Sequence, residues 1–212
     1  MRAYKETYLN NAAKVFGGML DYAVNDCGTD GGLFLNMFIV SGLAEQFEHG
    51  NPKTIAGKSG VELAIEAIES VTGSKPTAQP SMRDYRTEEY WAGWALAQYQ
   101  WRTGMGFSSI LRFLPYDDII RMYPTMHEAD ITRFYSTVDE IRASAFPQTN
   151  LKRIREAAGL SQSQLAGQSE VSLRSIQMYE QRNKDINKAQ VMSIAKIARV
   201  LSCNVEDLLE SD

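Results

Sequence analysis

The chain has 212 residues, a formal net charge of −4, 44% hydrophobic and 23% charged residues, and 15 Gly against 6 Pro. That length suits one large domain or two modest ones, and the composition is that of a globular chain able to bury a core, which excludes wholesale disorder. Cys27 and Cys203 are too far apart for metal-ligand spacing or a disulfide framework, and they fit a reducing, cytoplasmic setting.

The opening run MRAYKETYLNN is polar where a signal peptide needs an apolar core. The longest apolar stretch, Leu33 to Ala44, is interrupted by Asn36 and Ser41, so neither export nor a membrane span is expected. Residues 1–146 read as helices separated by Gly, Pro and Asx breaks. Leu9, Ala12, Ala13, Phe16, Met19, Leu20 and Ala23 repeat at helical spacing and predict a helix from about Lys5 to Val24. Further helices are predicted over Leu33–Phe47 and Gly60–Val71, the latter with Val61, Ala64, Ile65 and Ile68 opposite Glu62, Glu66 and Glu69. The run TGSKPTAQPSM, Thr72 to Met82, is a loop that either divides two lobes or spans the surface of one domain. Helices resume at Thr87–Arg102, Phe107–Leu114, Tyr116–Met122 and Ala129–Ala143, with Pro115 and Pro124 as starters or breakers. Phe146, Pro147 and Gln148 form a short connector.

Chemistry is sparsely signalled in this part. Gly57-Lys58-Ser59 matches the end of a phosphate-binding loop, but Pro52 occupies the required upstream glycine position and no strand precedes it. His127, Glu128 and Asp130 lack the second histidine of a metal motif, and an acid-rich helix start explains them better. Cys27 has no base partner legible in sequence. All three tryptophans lie in YWAGWALAQYQW, Tyr90 to Trp101, which reads first as core packing and second as a partner or ligand groove. The expectation is a non-enzymatic domain without metal or cofactor.

From Thr149 the pattern sharpens into five short helices. The first, Asn150–Ala158, buries Leu151, Ile154 and Ala158, turns Lys152, Arg153 and Arg155 outward, and stops at Gly159. Ser161 caps the second, with Gln164 completing an S-x-x-Q capping box, and Ala166 is the small residue at a helix crossing. Ser172 caps the third, which puts Ile176 and Tyr179 in the core and leaves Leu173, Arg174, Ser175 and Gln177 outside. Asn187 is read as the cap of the fourth helix, whose stripe is Val191, Ile194, Ile197, Ala198 and Leu201. Asn204 with Asp207 caps the last, ending at Leu208 and Leu209. Charge follows the same division. Residues 1–148 carry 13 basic against 18 acidic groups, whereas 149–199 carry 9 against 4, a locally basic module inside an acidic chain.

The runs LKRIREAAGLSQSQLA, VSLRSIQMYE and IAKIARVLSCNVEDLL resemble the Cro/C1-type (XRE) helix-turn-helix family of repressors and regulators, over residues 149–212. The resemblance implies an all-α protein: a helical N-terminal domain, 1–146, followed by a five-helix DNA-binding domain. It implies that the third helix enters the major groove while the second contacts the DNA backbone. Carried over by position, Gln162 bonds phosphate and supports the recognition helix, and Leu173, Arg174 and Gln177 face bases. Ser161, Ser172 and Ser175 suit phosphate contacts.

Three positions depart from that pattern. Ser169 replaces an apolar residue, while Glu170 and Arg182 replace frequent glycines; the charge of Arg182 favours phosphate, and that of Glu170 opposes it. The expected partner is double-stranded DNA, bound by a homodimer acting as a repressor, with residues 1–146 sensing an effector, dimerising or binding a protein partner. The alternative is an antitoxin-like protein whose acidic N-terminal domain neutralises a toxin while the C-terminal domain regulates the operon.

Overall fold

In a computed structural model of the chain, described for residues 3–145 and 148–210, all regular structure among the described residues is helical. Residues 1–142 and 143–212 form two compact units. Phe146 and Pro147, read as connector residues, lie outside the described ones.

In the first unit a 3-10 turn, Glu6–Tyr8, leads into α1 (Leu9–Asp21), which continues as a π segment, Tyr22–Asp26. Then come α2 (Gly31–Val40), α3 (Leu43–Glu48), α4 (Pro52–Ile55), α5 (Gly60–Thr72), α6 (Glu88–Thr103), α7 (Phe107–Phe113), α8 (Tyr116–Met126) and α9 (Ile131–Ala145). The central pair is α1 and α6. Helix α1 buries Ala12, Ala13, Phe16, Met19 and Leu20, and α6 buries most of its circumference, Trp91, Tyr99 and Trp101 included. Glycine sets their separation: a Cβ on Gly17 would stand 2.7 Å from the Tyr90 carbonyl, and one on Gly93 would stand 2.8 Å from that of Phe16. Helix α5 approaches α1 in the same way, because a Cβ on Gly60 would lie 2.5 Å from the Val15 carbonyl.

Phe16 stacks on Phe107 at 4.7 Å and meets Phe38 and Phe47 edge-on at 5.4 and 5.2 Å. Such pairs add about 0.5–1.5 kcal/mol each beyond the area they bury. The tryptophan-rich helix is therefore a core helix: Trp101 even spends its Nε1–H on the Tyr4 carbonyl, 2.9 Å away.

Several boundaries differ from the sequence expectation. The predicted Leu33–Phe47 helix is two, because Gly42 takes φ 77°, a left-handed turn that ends α2 and starts α3. Pro124 sits inside α8, which runs on to Met126. The loop before α6 spans one unit: Tyr22 Oη donates to the Ala78 carbonyl (2.8 Å), and Arg83 reaches Asp21 (3.1 Å) and Asp26 (2.7 Å). The π segment brings the last two together, since its i→i+5 turn aligns residues five apart. Among the described residues no helix is long and apolar enough to cross a membrane.

The second unit contains α10 (Asn150–Ala157), α11 (Gln162–Ser169), α12 (Leu173–Glu180), a 3-10 turn at Ile186–Lys188, α13 (Val191–Leu201) and α14 (Val205–Leu208). Its core gathers Leu151, Leu165, Ile176, Tyr179, Ile186, Ile194, Ile197, Leu201 and Leu208. Four expectations are corrected here. Asn187 lies within the 3-10 turn, which Asp185 caps, while α13 begins after Gln190 with no side-chain cap. Val191 is 76% exposed and so falls off the apolar stripe. Ala158 is exposed, because α10 has ended and the chain is turning at Gly159. Arg155 is not outward but 7% exposed, held in the core by a carboxylate partner.

Candidate nucleic-acid interface

Helices α11 and α12 are started by serines. Ser161 Oγ accepts the Gln164 N–H (3.2 Å) while the Gln164 side chain accepts the Ser161 N–H (2.8 Å), a complete capping box. Ser172 Oγ accepts the Ser175 N–H (3.1 Å) and donates to Ser175 Oγ (2.8 Å). The caps leave the Ser161 and Ser175 hydroxyl protons available to an outside acceptor. Helix geometry also leaves first-turn N–H groups without intrahelical acceptors, and those suit phosphate oxygens.

Between the two helices the chain must turn sharply, and it does so on Glu170 at φ 54°. A non-glycine residue is strained in this region. The Glu170 carboxylate is answered by Lys196 from α13, 2.6 Å away, which holds it below the usual carboxylate range. Lys196 thus offsets the negative charge at the turn. Ser169, the other departure, is buried and returns its hydroxyl to the Leu165 carbonyl at 2.6 Å, so the core receives a satisfied polar group.

Glu180, at the end of α12, ties three helices together. Arg155 of α10 donates to it through Nε (2.6 Å) and Nη2 (2.9 Å), and Gln162 of α11 through Nε2 (2.8 Å). Arg155 Nη1 also donates to the Leu160 carbonyl at 2.6 Å. Gln162 is therefore anchored by one amide proton, with its second N–H and its carbonyl oxygen left for other partners. Sequence reasoning missed both Arg155 and Glu180. The signal was present: each lies four residues after a core residue, Leu151 and Ile176, hence on a buried helical face.

On the outer face of α12, Leu173 and Arg174 are exposed and Gln177 is half-buried. Neither Arg174 nor Gln177 makes a side-chain hydrogen bond or ion pair within the described residues. Arg182 stands apart from them. Its backbone is left-handed at φ 57°, and its guanidinium bonds Glu210 (2.8 Å) and the Gln148 carbonyl (3.4 Å).

The features read in the first unit are placed differently. Lys58 pairs with Glu66, and Ser59 caps α5 in a box with Glu62, so these groups serve the helix start. The Asp130 carboxylate accepts the Thr132 N–H and hydroxyl at the start of α9, while His127 Nδ1 faces the Tyr123 carbonyl at 2.8 Å. No three His, Cys, Asp or Glu side chains converge into a metal-holding group among the described residues. Burial raises the Cys27 thiol, the opposite of activation.

Residues 151–208 match the family model described as Helix-turn-helix. The C-terminal domain is a helix-turn-helix domain of the Cro/C1 type, and the chain is that of a DNA-binding transcriptional regulator. No curated protein and no solved structure matches the chain.

Proposed function

We propose that the protein is a repressor that binds its operator as a homodimer and reads bases with Leu173, Arg174 and Gln177. One observation carries the reading: on α12 the side chains able to read base edges are unengaged, while the residues around them are spent on capping and on the Glu180 network. Arg pairs bidentately with guanine, Gln with adenine, and Leu offers apolar contact to a thymine methyl. Gln162, Ser161, Ser172 and Ser175 contact phosphates and set the register. Two copies are needed because one five-helix module makes few base contacts, whereas paired modules on adjacent half-sites multiply specificity. Mobility-shift titration against promoter fragments from the protein's own operon tests this. The reading fails if no fragment is bound more tightly than unrelated DNA of equal length at fixed salt.

A second reading, partner neutralisation by the N-terminal unit, is favoured by its loop. Met82 and Tyr85 are 103% and 74% exposed on either side of Arg83, whose ion pairs with Asp21 and Asp26 fix the loop that presents them. Co-purification of the adjacent gene product, lost in a Met82→Asp/Tyr85→Asp variant, supports an antitoxin-like role. A clean single-component preparation removes it.

A further inference from the structure

Helix α2 is apolar around nearly its whole circumference. Phe34, Leu35 and Phe38 are buried, yet Leu33 and Val40 are 51% and 75% exposed. A helix that is apolar on all sides belongs in an interior, so its outer face lacks its cover. Leu33, Asn36, Met37 and Val40 fall at i, i+3, i+4 and i+7, one stripe about 10 Å long at the rise of an α-helix. From Gly31 to Gly42 the chain holds no charged residue. Depletion of charge marks the centre of protein interfaces.

The stripe is self-complementary. Asn36, exposed midway along it, makes no side-chain hydrogen bond within the described residues. Its amide is both donor and acceptor, so it can satisfy a second copy of itself across a two-fold axis. A lone Asn in an apolar helical seam fixes register in just this way. Gly32, one turn earlier, is not demanded by its own fold: a Cβ there would meet nothing nearer than 3.4 Å. Its missing side chain instead lets another helix come close. The unit is acidic overall, but this face sets no like charge against itself.

We infer that α2 packs against α2 of a second copy of this chain, with the Asn36 amides paired near the two-fold axis. The inference rests on the dimeric reading above and names its surface. One helix this short cannot supply the roughly 1,200 Å² of a stable interface, so the stripe is the interface centre and its surroundings the rim.

The test uses the full chain in sedimentation velocity. Wild type sediments as a dimer, and Leu33→Glu/Val40→Glu sediments as a monomer that keeps the far-UV spectrum and a cooperative melt, with a midpoint that, unlike that of wild type, no longer depends on protein concentration. In a Cys27→Ser/Cys203→Ser background, Asn36→Cys forms a disulfide-linked dimer on mild oxidation, whereas Glu69→Cys, an exposed control on α5, does not. A wild-type dimer that survives the double substitution and is not cross-linked at position 36 overturns the inference while leaving the dimeric reading intact. The exposed Val191 and Met192 are then the next surface to substitute. A wild-type chain that is monomeric both alone and on its operator overturns inference and reading together. Wild type isolated as a one-to-one complex with another protein, and freed of it by the double substitution, also overturns the inference.

Discussion

Arg155 donates to both carboxylate oxygens of Glu180, at 2.6 and 2.9 Å, with the two side chains only 8% and 2% exposed. An ion pair so buried contributes little beyond an apolar pair of the same shape, but removing one member strands the other charge and costs about 3–5 kcal/mol. Glu180→Leu and Arg155→Met should each lower chemical stability by about that much, and the double variant should recover most of it. Hydrogen exchange of the full chain should localise the loss to α10–α12. Additive single losses would show that the side chains do not act as a pair.

Glu170 carries a backbone strain that glycine would not. Glu170→Gly relieves the left-handed conformation and gives up an exposed ion pair with Lys196, whereas Glu170→Ala loses the pair and keeps the strain. The glycine variant should be more stable than the alanine variant by about 1 kcal/mol in urea unfolding. Equal stabilities would mean that this turn is unstrained.

Gly93 occupies the closest approach of α6 to α1. Gly93→Ala improves helix propensity on paper, yet its methyl would collide with the Phe16 carbonyl. A net destabilisation of about 1–3 kcal/mol in thermal unfolding is expected. A gain in stability would refute glycine-set packing.

Arg83 donates to the Asp26 carboxyl and holds it below its ordinary range, with the Ser81 bonds adding to the effect. A carboxylate depressed in the folded state contributes stability that is present above its unfolded pKa, about 3.9, and is lost as pH falls through the folded value. Arg83→Met should therefore be less stable than wild type near neutrality, and the gap should hold down to about pH 4 and close only on further acidification, as the depressed Asp26 carboxyl takes up its proton. A gap independent of pH would place the role of Arg83 in packing alone.

The caps were legible because they are local: Ser161 with Gln164, Ser172, and Asn204 with Asp207 are decided within four residues. The Arg155–Glu180 pair spans 25 positions, so helical periodicity alone turned Arg155 to solvent. Asn187 was misread for a related reason: Asx residues cap any helical start, and Asp185 two positions earlier caps a 3-10 turn that periodicity does not reveal. In the first unit the longer helices were legible, whereas the break at Gly42 and the one-turn α4 were not, and the close approaches at Gly17, Gly60 and Gly93 depend on which helices meet. Of the base-facing set, the structure leaves Arg174 and Gln177 unengaged; Arg182, read as favouring phosphate, is held by Glu210. Arg182→Ala should therefore alter affinity evenly across DNA sequences rather than relax base preference.

The central claim is that α12 reads bases through Arg174 and Gln177. It is tested most directly by fluorescence anisotropy of the full chain on its operator and on scrambled DNA, at one salt concentration. Arg174→Ala and Gln177→Ala should each weaken operator binding by about 1–3 kcal/mol, roughly five- to 150-fold, and leave binding to scrambled DNA nearly unchanged. A double variant that still prefers the operator as strongly as wild type would contradict the claim.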